Sequence, residues 1–173
     1  MNNTNRYCTY FCEGEDDLKL VDALKYNPSK IISGSSRRLN VVQELIPKSV
    51  LLKIRPYSKV ALNFDSDVTS NLSILKRNIA NIERYCQNVD IVYLLQVKNL
   101  EDELVRCSDV KNVLELTHSK TLSNFKRDFA RMKVNECRYC LDRHSINVNT
   151  LWNYNFPTAF DFVERNSKEI KNI

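Results

Sequence analysis

Glycine and proline are scarce in this chain, at two and four of 173 residues. Flexible linkers, low-complexity tracts and loop-rich scaffolds use both heavily, so those organisations are excluded. Long hydrophobic runs are lacking too. The longest, such as Ile91 to Leu95, fall far short of the roughly 18 residues that span a bilayer, and the Asn-rich polar N-terminus is unlike a secretory signal. The expectation is a cytoplasmic protein with no membrane partner. Charge of one sign is hardly in excess: 26 Lys and Arg against 21 Asp and Glu give +5, a bias that suits a polyanion without requiring one. What is present, 43% apolar and 27% charged residues, is globular. The length suits one domain with its own core, which needs no covalent staples, so Cys8, Cys12, Cys86, Cys107, Cys137 and Cys140 are expected as reduced thiols.

Strand and helix signals alternate. Arg6 to Cys12 is aromatic and β-branched, a short buried strand stopped at Glu13-Gly14. Asp16 and Asp17 suit the first turn of a following helix, whose apolar stripe is Leu18, Leu20, Val21 and Leu24. Ser29 to Ser33, around Ile31-Ile32, predicts a second strand ending at Gly34. Ser35 or Ser36 would then cap a helix carrying Leu39, Val42, Leu45 and Ile46, ended by Pro47. Val60 to Phe64 is a third strand, and Thr69 or Ser70 opens an amphipathic helix with Leu72, Leu75, Ile79, Ile82 and Tyr85 on one face. Asp90 to Val97 reads as a fourth strand, buried on both faces. Beyond it the pattern is helical, over Leu100 to Arg106, Val110 to Leu116, Leu122 to Met132 and Phe156 to Arg165. Such alternation predicts an α/β fold with a mostly parallel central sheet flanked by helices, plus a mainly helical C-terminal extension. Residues 1–106 would form the core and 107–173 the extension, packed on the same domain. Trp152, Tyr154, Phe156, Phe160 and Phe162 are expected to pack that extension against the sheet or a partner.

In open parallel sheets, ligands bind beyond the carboxyl ends of the strands. Those ends are acidic here: Glu13-Gly14 after the first strand, Asp65-Ser66-Asp67 after the third, and Asn99-Leu100-Glu101-Asp102-Glu103 after the fourth. Converging carboxylates repel one another unless a cation sits between them. Magnesium or manganese, which take oxygen ligands, fit this set and serve phosphodiester chemistry. Gly14 is read as allowing a sharp turn and the approach of a metal-bound phosphate. For Asp16, Asp102 and Glu103, helix capping is the more ordinary role.

These residues resemble the Toprim domains shared by topoisomerases, bacterial primases, small rRNA-maturing ribonucleases and the overcoming-lysogenization-defect nucleases. A hydrophobic strand followed by Glu13-Gly14, with Asp17 four residues on, is similar to the family's strand-Glu-Gly motif in its nuclease form. Asp65-Ser66-Asp67, about fifty residues downstream, is similar to its Asp-x-Asp motif, and Asn99-Leu100-Glu101 to an Asn/Glu motif of several defence-associated members. The resemblance covers residues 6 to 106. It implies a Rossmannoid catalytic core and a metal-dependent enzyme acting on phosphodiesters, with Glu13, Asp65 and Asp67 around the metal and Asp17 and Glu101 completing a second site. Topoisomerase and primase chemistry needs further domains, which leaves a nuclease, with DNA or RNA as substrate. Lys98, three residues before Glu101, is the candidate for stabilising the leaving oxygen.

Ser33 to Arg38, expected to open a helix, would hold a nucleic-acid phosphate through Ser35, Ser36, Arg37 and Arg38. Lys76, Arg77, Arg84, Lys120, Lys126, Arg127, Arg131 and Lys133 add positive charge. Cys137, Cys140 and His144 have a spacing used by Zn²⁺ sites, with Cys107 or His118 as a fourth ligand, but with only one CxxC pair present the default expectation is free thiols along one helix face. The expected function is a metal-dependent nuclease, by analogy a phage-defence or toxin-like effector, working alone, as a homo-oligomer or beside a partner ATPase. Two alternatives remain open: a non-catalytic nucleic-acid- or protein-binding module on the same fold, and a zinc-containing adaptor.

Overall fold

The computed structural model describes residues 7–67 and 71–172, and it is an α/β fold built on one four-stranded parallel sheet. The strands are β1 (Cys8–Cys12), β2 (Gly34–Arg38), β3 (Lys59–Asp65) and β4 (Asp90–Gln96). Their spatial order is β2-β1-β3-β4, every pair parallel. The helices are α1 (Glu15–Lys25), α2 (Lys48–Leu51), α3 (Ser73–Tyr85), α4 (Leu100–Arg106), α5 (Leu122–Arg131) and α6 (Val134–Arg143).

Side chains alternate across a strand, so a sheet covered on both sides needs apolar residues at consecutive positions. β1 is buried throughout, and β3 nearly so. Cys8, Tyr10, Cys12, Ala61, Val92 and Leu94 face α1, α4, α5 and α6 in one core cluster. Phe11, Val60, Leu62, Phe64, Tyr93 and Leu95 face α2 and α3 in the other. Phe125, Phe129, Cys137, Leu151 and Trp152 belong to the first cluster, so the C-terminal extension completes the core of the sheet. Glu103, fully buried, ties it down: it accepts from the Trp152 backbone N–H at 2.6 Å and pairs with Arg106 at 2.5 Å. All six cysteines are free.

Four local expectations are corrected. Ile31-Ile32 does not form the second strand; Ile31 is buried in the core and makes a lone antiparallel bridge to Lys171, while the strand is the polar Gly34–Arg38. No helix follows Ser35 and Ser36, because those residues are themselves the edge strand. Gly34 is required there: a β-carbon on it would lie 1.8 Å from the Cys8 carbonyl oxygen. Val110 to Leu116 shortens to a 3₁₀ turn at Val113–Leu116, and Phe156 to Arg165 to one at Thr158–Phe160, directly after Pro157. The expected helix start at Thr69 or Ser70 lies outside the described residues; α3 begins at Ser73. Of the C-terminal aromatics, Trp152 and Phe160 are fully buried, whereas Phe162 remains 39% exposed. Among the described residues no helix is long and apolar enough to cross a membrane.

Candidate active site

The strand order reverses between β1 and β3: from β1 the chain winds outward to β2, and from β3 outward to β4. The crevice beyond the carboxyl ends of such a pair is where open α/β sheets bind ligands. Glu13 follows the last residue of β1, and Asp65 ends β3. The Asp65 backbone N–H donates to Glu13 Oε2 at 3.2 Å, which places the glutamate across that crevice.

The first turn of α1 brings in Asp17, which is 5% exposed. Its Oδ2 accepts from the Gly14 N–H at 3.0 Å and its Oδ1 from the Gln96 side-chain amide at 2.7 Å. Gln96 is opposite Asp65 in the β3–β4 register, so Asp17 is held between the ends of β1 and β4. α4 contributes Glu101, buried in its first turn, where Asn99 caps the helix by accepting from the Asp102 N–H at 3.0 Å. Lys126 of α5 pairs with Glu101 at 2.9 Å.

Burial and mutual repulsion set the charge state of this group. Burial pushes the Asp65 carboxyl up to about 9, reinforced by Asp17, Glu13, Asp67 and Glu101. Asp17 rises to about 7, chiefly through burial and then through Asp16. Glu13 and Asp16 are also raised, burial being the first cause in each. Among the described residues, Asp65 Oδ1 is buried without a hydrogen-bond partner, as are the Gln96 Oε1 and both polar atoms of Asn63. Asn63 lies two residues before Asp65 on the same sheet face, between Cys12 and Leu94.

Of the residues singled out from sequence, Glu13, Asp17, Asp65 and Glu101 come together. Asp67 is exposed at the rim and acts on Glu13 and Asp65 through its charge. Lys98 is turned outward, its side chain 75% exposed and paired with Asp102 at 3.3 Å. The lysine that meets the carboxylates is Lys126, whose ammonium is drawn to Glu101, Asp16 and Asp65. Only the tertiary fold distinguishes it from seven other basic residues of α3, α5 and their flanks. Asn63 and Gln96 carry a fainter sequence signal, as polar residues near the ends of otherwise apolar strands. Gly14 has φ −118° and ψ 174°, extended backbone that any residue adopts, so no sharp turn depends on it. Its N–H serves Asp17, and a β-carbon there would crowd the Asp16 carboxylate at 2.5 Å.

The residues expected at a helix start are divided by the edge strand. Ser36 and Arg38 face α1: the Ser36 hydroxyl donates to Asp22 at 2.5 Å, and Arg38 pairs with Glu15 at 3.1 Å. Ser35 and Arg37 face the other way and line a cavity with Lys53 and Arg55. The cysteine cluster sits on α6, with His144 as its C-terminal cap. Cys137 is fully buried, its thiol pushed up to about 12 by burial; Cys140 donates to the Leu116 carbonyl at 3.0 Å; His144 Nδ1 lies 3.3 Å from Asp109. Among the described residues these three are not grouped so that they could hold a metal ion.

Among the described residues, no group of three or more His, Cys, Asp or Glu side chains is arranged so that it could hold a metal ion. The carboxylates nevertheless act on one another strongly enough to raise Asp65 and Asp17. Asp17 and Glu101 are buried and Asp67 is exposed, so the acids form a partly buried cluster and not a closed cage. Asp65 Oδ1 is an oxygen of this cluster that is left without a hydrogen-bond partner among the described residues, and it is the atom a cation would need. No protein-family model matches the chain, and no curated protein or solved structure matches it either.

Proposed function

We propose that this chain is a divalent-metal-dependent nuclease that hydrolyses nucleic-acid phosphodiester bonds, with a Toprim-type carboxylate centre. The observation that carries this reading is the Asp65 carboxylate at the switch point of the sheet, one oxygen buried and unpartnered, with Glu13, Asp17 and Glu101 around it. Asp65, Glu13 and Asp67 would hold magnesium or manganese, and Asp17 and Glu101 a second ion. A bound ion supplies charge neutralisation and an activated water at neutral pH.

The chain's own groups supply positioning. Gly14 and Gln96 fix Asp17 from two strand ends, and the Asp65 N–H fixes Glu13, so the carboxylates are set before a ligand arrives. Lys126 brings positive charge from the C-terminal extension to the rim, where it is suited to stabilise charge on a phosphoryl oxygen. Burial and the neighbouring acids hold the Asp65 carboxyl protonated at neutral pH, and a cation held by it would favour the ionised form. The biological setting we infer, a phage-defence or toxin-like effector, follows by analogy with stand-alone nucleases.

The test incubates wild type and Asp65→Ala with plasmid DNA, single-stranded DNA and structured RNA, each with magnesium, manganese or EDTA. Metal-dependent cleavage of one substrate class, abolished in a folded Asp65→Ala protein, is the expected result. Cleavage that persists in the variant, or no cleavage of any substrate by folded wild type, overturns the proposal.

A further inference from the structure

β2 is an edge strand, so alternate residues face opposite sides of the sheet. On one side Ser36 and Arg38 are held by Asp22, Lys25 and Glu15 of α1. On the other, Ser35 and Arg37 line a cavity of about 300 Å³ together with Thr9, Tyr7, Lys53 and Arg55. Thr9 is the β1 partner of Ser35 in the sheet register. Lys53 and Arg55 belong to the segment just after α2 and are exposed, as is Arg37. Among the described residues, no carboxylate lines the cavity. Among the described residues, none of these three cations enters an ion pair, whereas Arg38, one residue from Arg37, does.

We propose that this cavity is a phosphate-binding site that holds the backbone of a nucleic-acid strand apart from the carboxylate centre. Three unpaired cations on one small concave surface focus positive potential. Two are guanidinium forks, which match phosphate oxygens with paired N–H donors, and Ser35 offers a hydroxyl. Arg55 is steadied against the Tyr7 ring at 5.7 Å, which limits the freedom lost on binding.

Further cations lie on the same side of the sheet, on the helices α2 and α3. Lys48 of α2 and Arg84 of α3 both lie on the Tyr85 ring, at 4.6 and 5.2 Å, and α2 packs on α3. A run of cations is what a polyanion engages, whereas a lone phosphate needs only one pocket. Thr9 is four residues before Glu13, so about 13 Å of strand separates cavity from carboxylates, a span one nucleic-acid strand covers in a few nucleotides. That the anion is a nucleic-acid phosphodiester rests on the proposed function; that the cavity takes an anion does not.

Fluorescence anisotropy of a short labelled single-stranded oligonucleotide, in EDTA so that nothing is cut, tests the site. Wild type is expected to bind with salt-sensitive affinity. Arg37→Gln combined with Arg55→Gln is expected to weaken binding about tenfold or more and to flatten the log–log salt slope by about 1.4, roughly 0.7 for each lost phosphate contact. Arg38→Gln, already paired with Glu15, should bind as wild type does. Lys53→Gln provides an independent single substitution whose loss of affinity must run in the same direction. Undiminished binding by the folded double variant, or by Lys53→Gln, overturns the site. Protein that binds inorganic phosphate, detected by its protection against heat unfolding, yet does not bind the oligonucleotide overturns the strand assignment. Oligonucleotide binding by wild type and by Asp65→Ala with no cleavage in magnesium would sink the nuclease reading and leave this site standing.

Discussion

The Asp65 backbone N–H donates to the Glu13 carboxylate across 3.2 Å, joining the ends of the two central strands through one of the acids proposed to hold the metal. Glu13 is therefore both a brace and a ligand, and substitutions separate the roles. Glu13→Gln keeps the acceptor and should leave stability within about 0.5 kcal/mol of wild type while abolishing metal-dependent cleavage. Glu13→Ala loses both, and should cost about 1 kcal/mol in urea unfolding as well.

Asp65 holds its proton up to about pH 9 and Asp17 to about 7, against an ordinary value of 3.8, with burial the first cause in both. Each group binds its proton more tightly in the folded chain than in the unfolded one. Between the unfolded and folded values the unfolded chain releases that proton first, so rising pH favours unfolding. The contribution of Asp65 to stability therefore falls from about pH 4 to 9 and levels off above. Asp65→Asn should melt higher than wild type, by a margin that grows through that window and is smallest near pH 4. Magnesium should raise the melting temperature of wild type at pH 8 by more than it raises that of Asp65→Asn. A margin independent of pH would refute this account.

Lys126, and not Lys98, faces the carboxylates. Lys126→Met should lower kcat about a hundredfold, the scale on which a single electrostatic contact to a transition state acts. Lys98→Met should change it by less than about twofold, because that side chain is exposed and pairs only with Asp102. Steady-state cleavage of the substrate class identified with wild type provides the comparison.

Asn63 is fully buried in β3 with neither polar atom partnered. A buried amide in that state costs about 1–3 kcal/mol, so Asn63→Val should raise stability by about 1 kcal/mol in urea unfolding. The same change removes the polar floor beneath Asp65 and should reduce cleavage about tenfold or more. Sites kept at a cost to stability show this opposition of fold and function. A variant both less stable and fully active would identify Asn63 as a structural residue instead.

The central strands were legible because their requirement is local. A strand buried on both faces must be apolar at nearly every position, and Tyr10 to Cys12, Val60 to Leu62 with Phe64, and Val92 to Leu95 meet it without reference to anything else. The acids at their ends were legible for the same reason: Glu13 and Asp65 interrupt the apolar runs where the strands stop, and parallel pairing brings those ends together.

The edge strand was not legible. Gly34–Arg38 is half solvated and polar, so its pairing comes from β1 alone, while Ile31-Ile32 owes its hydrophobicity to a core contact outside the sheet. Sequence gathered Ser35, Ser36, Arg37 and Arg38 as one phosphate-binding group; the pleat divided it, giving Ser36 and Arg38 to α1 and Ser35 and Arg37 to the basic cavity. Lys126 was hidden for a related reason. It lies 61 residues beyond Asp65 in the chain, on a helix whose place against α1 is set by Phe125 and Phe129 in the core. Periodic burial is written residue by residue and determines the elements and the acidic strand ends. Which lysine meets those acids, and which arginines are left unpaired, depend on contacts between distant segments, and only the packed tertiary structure decides them.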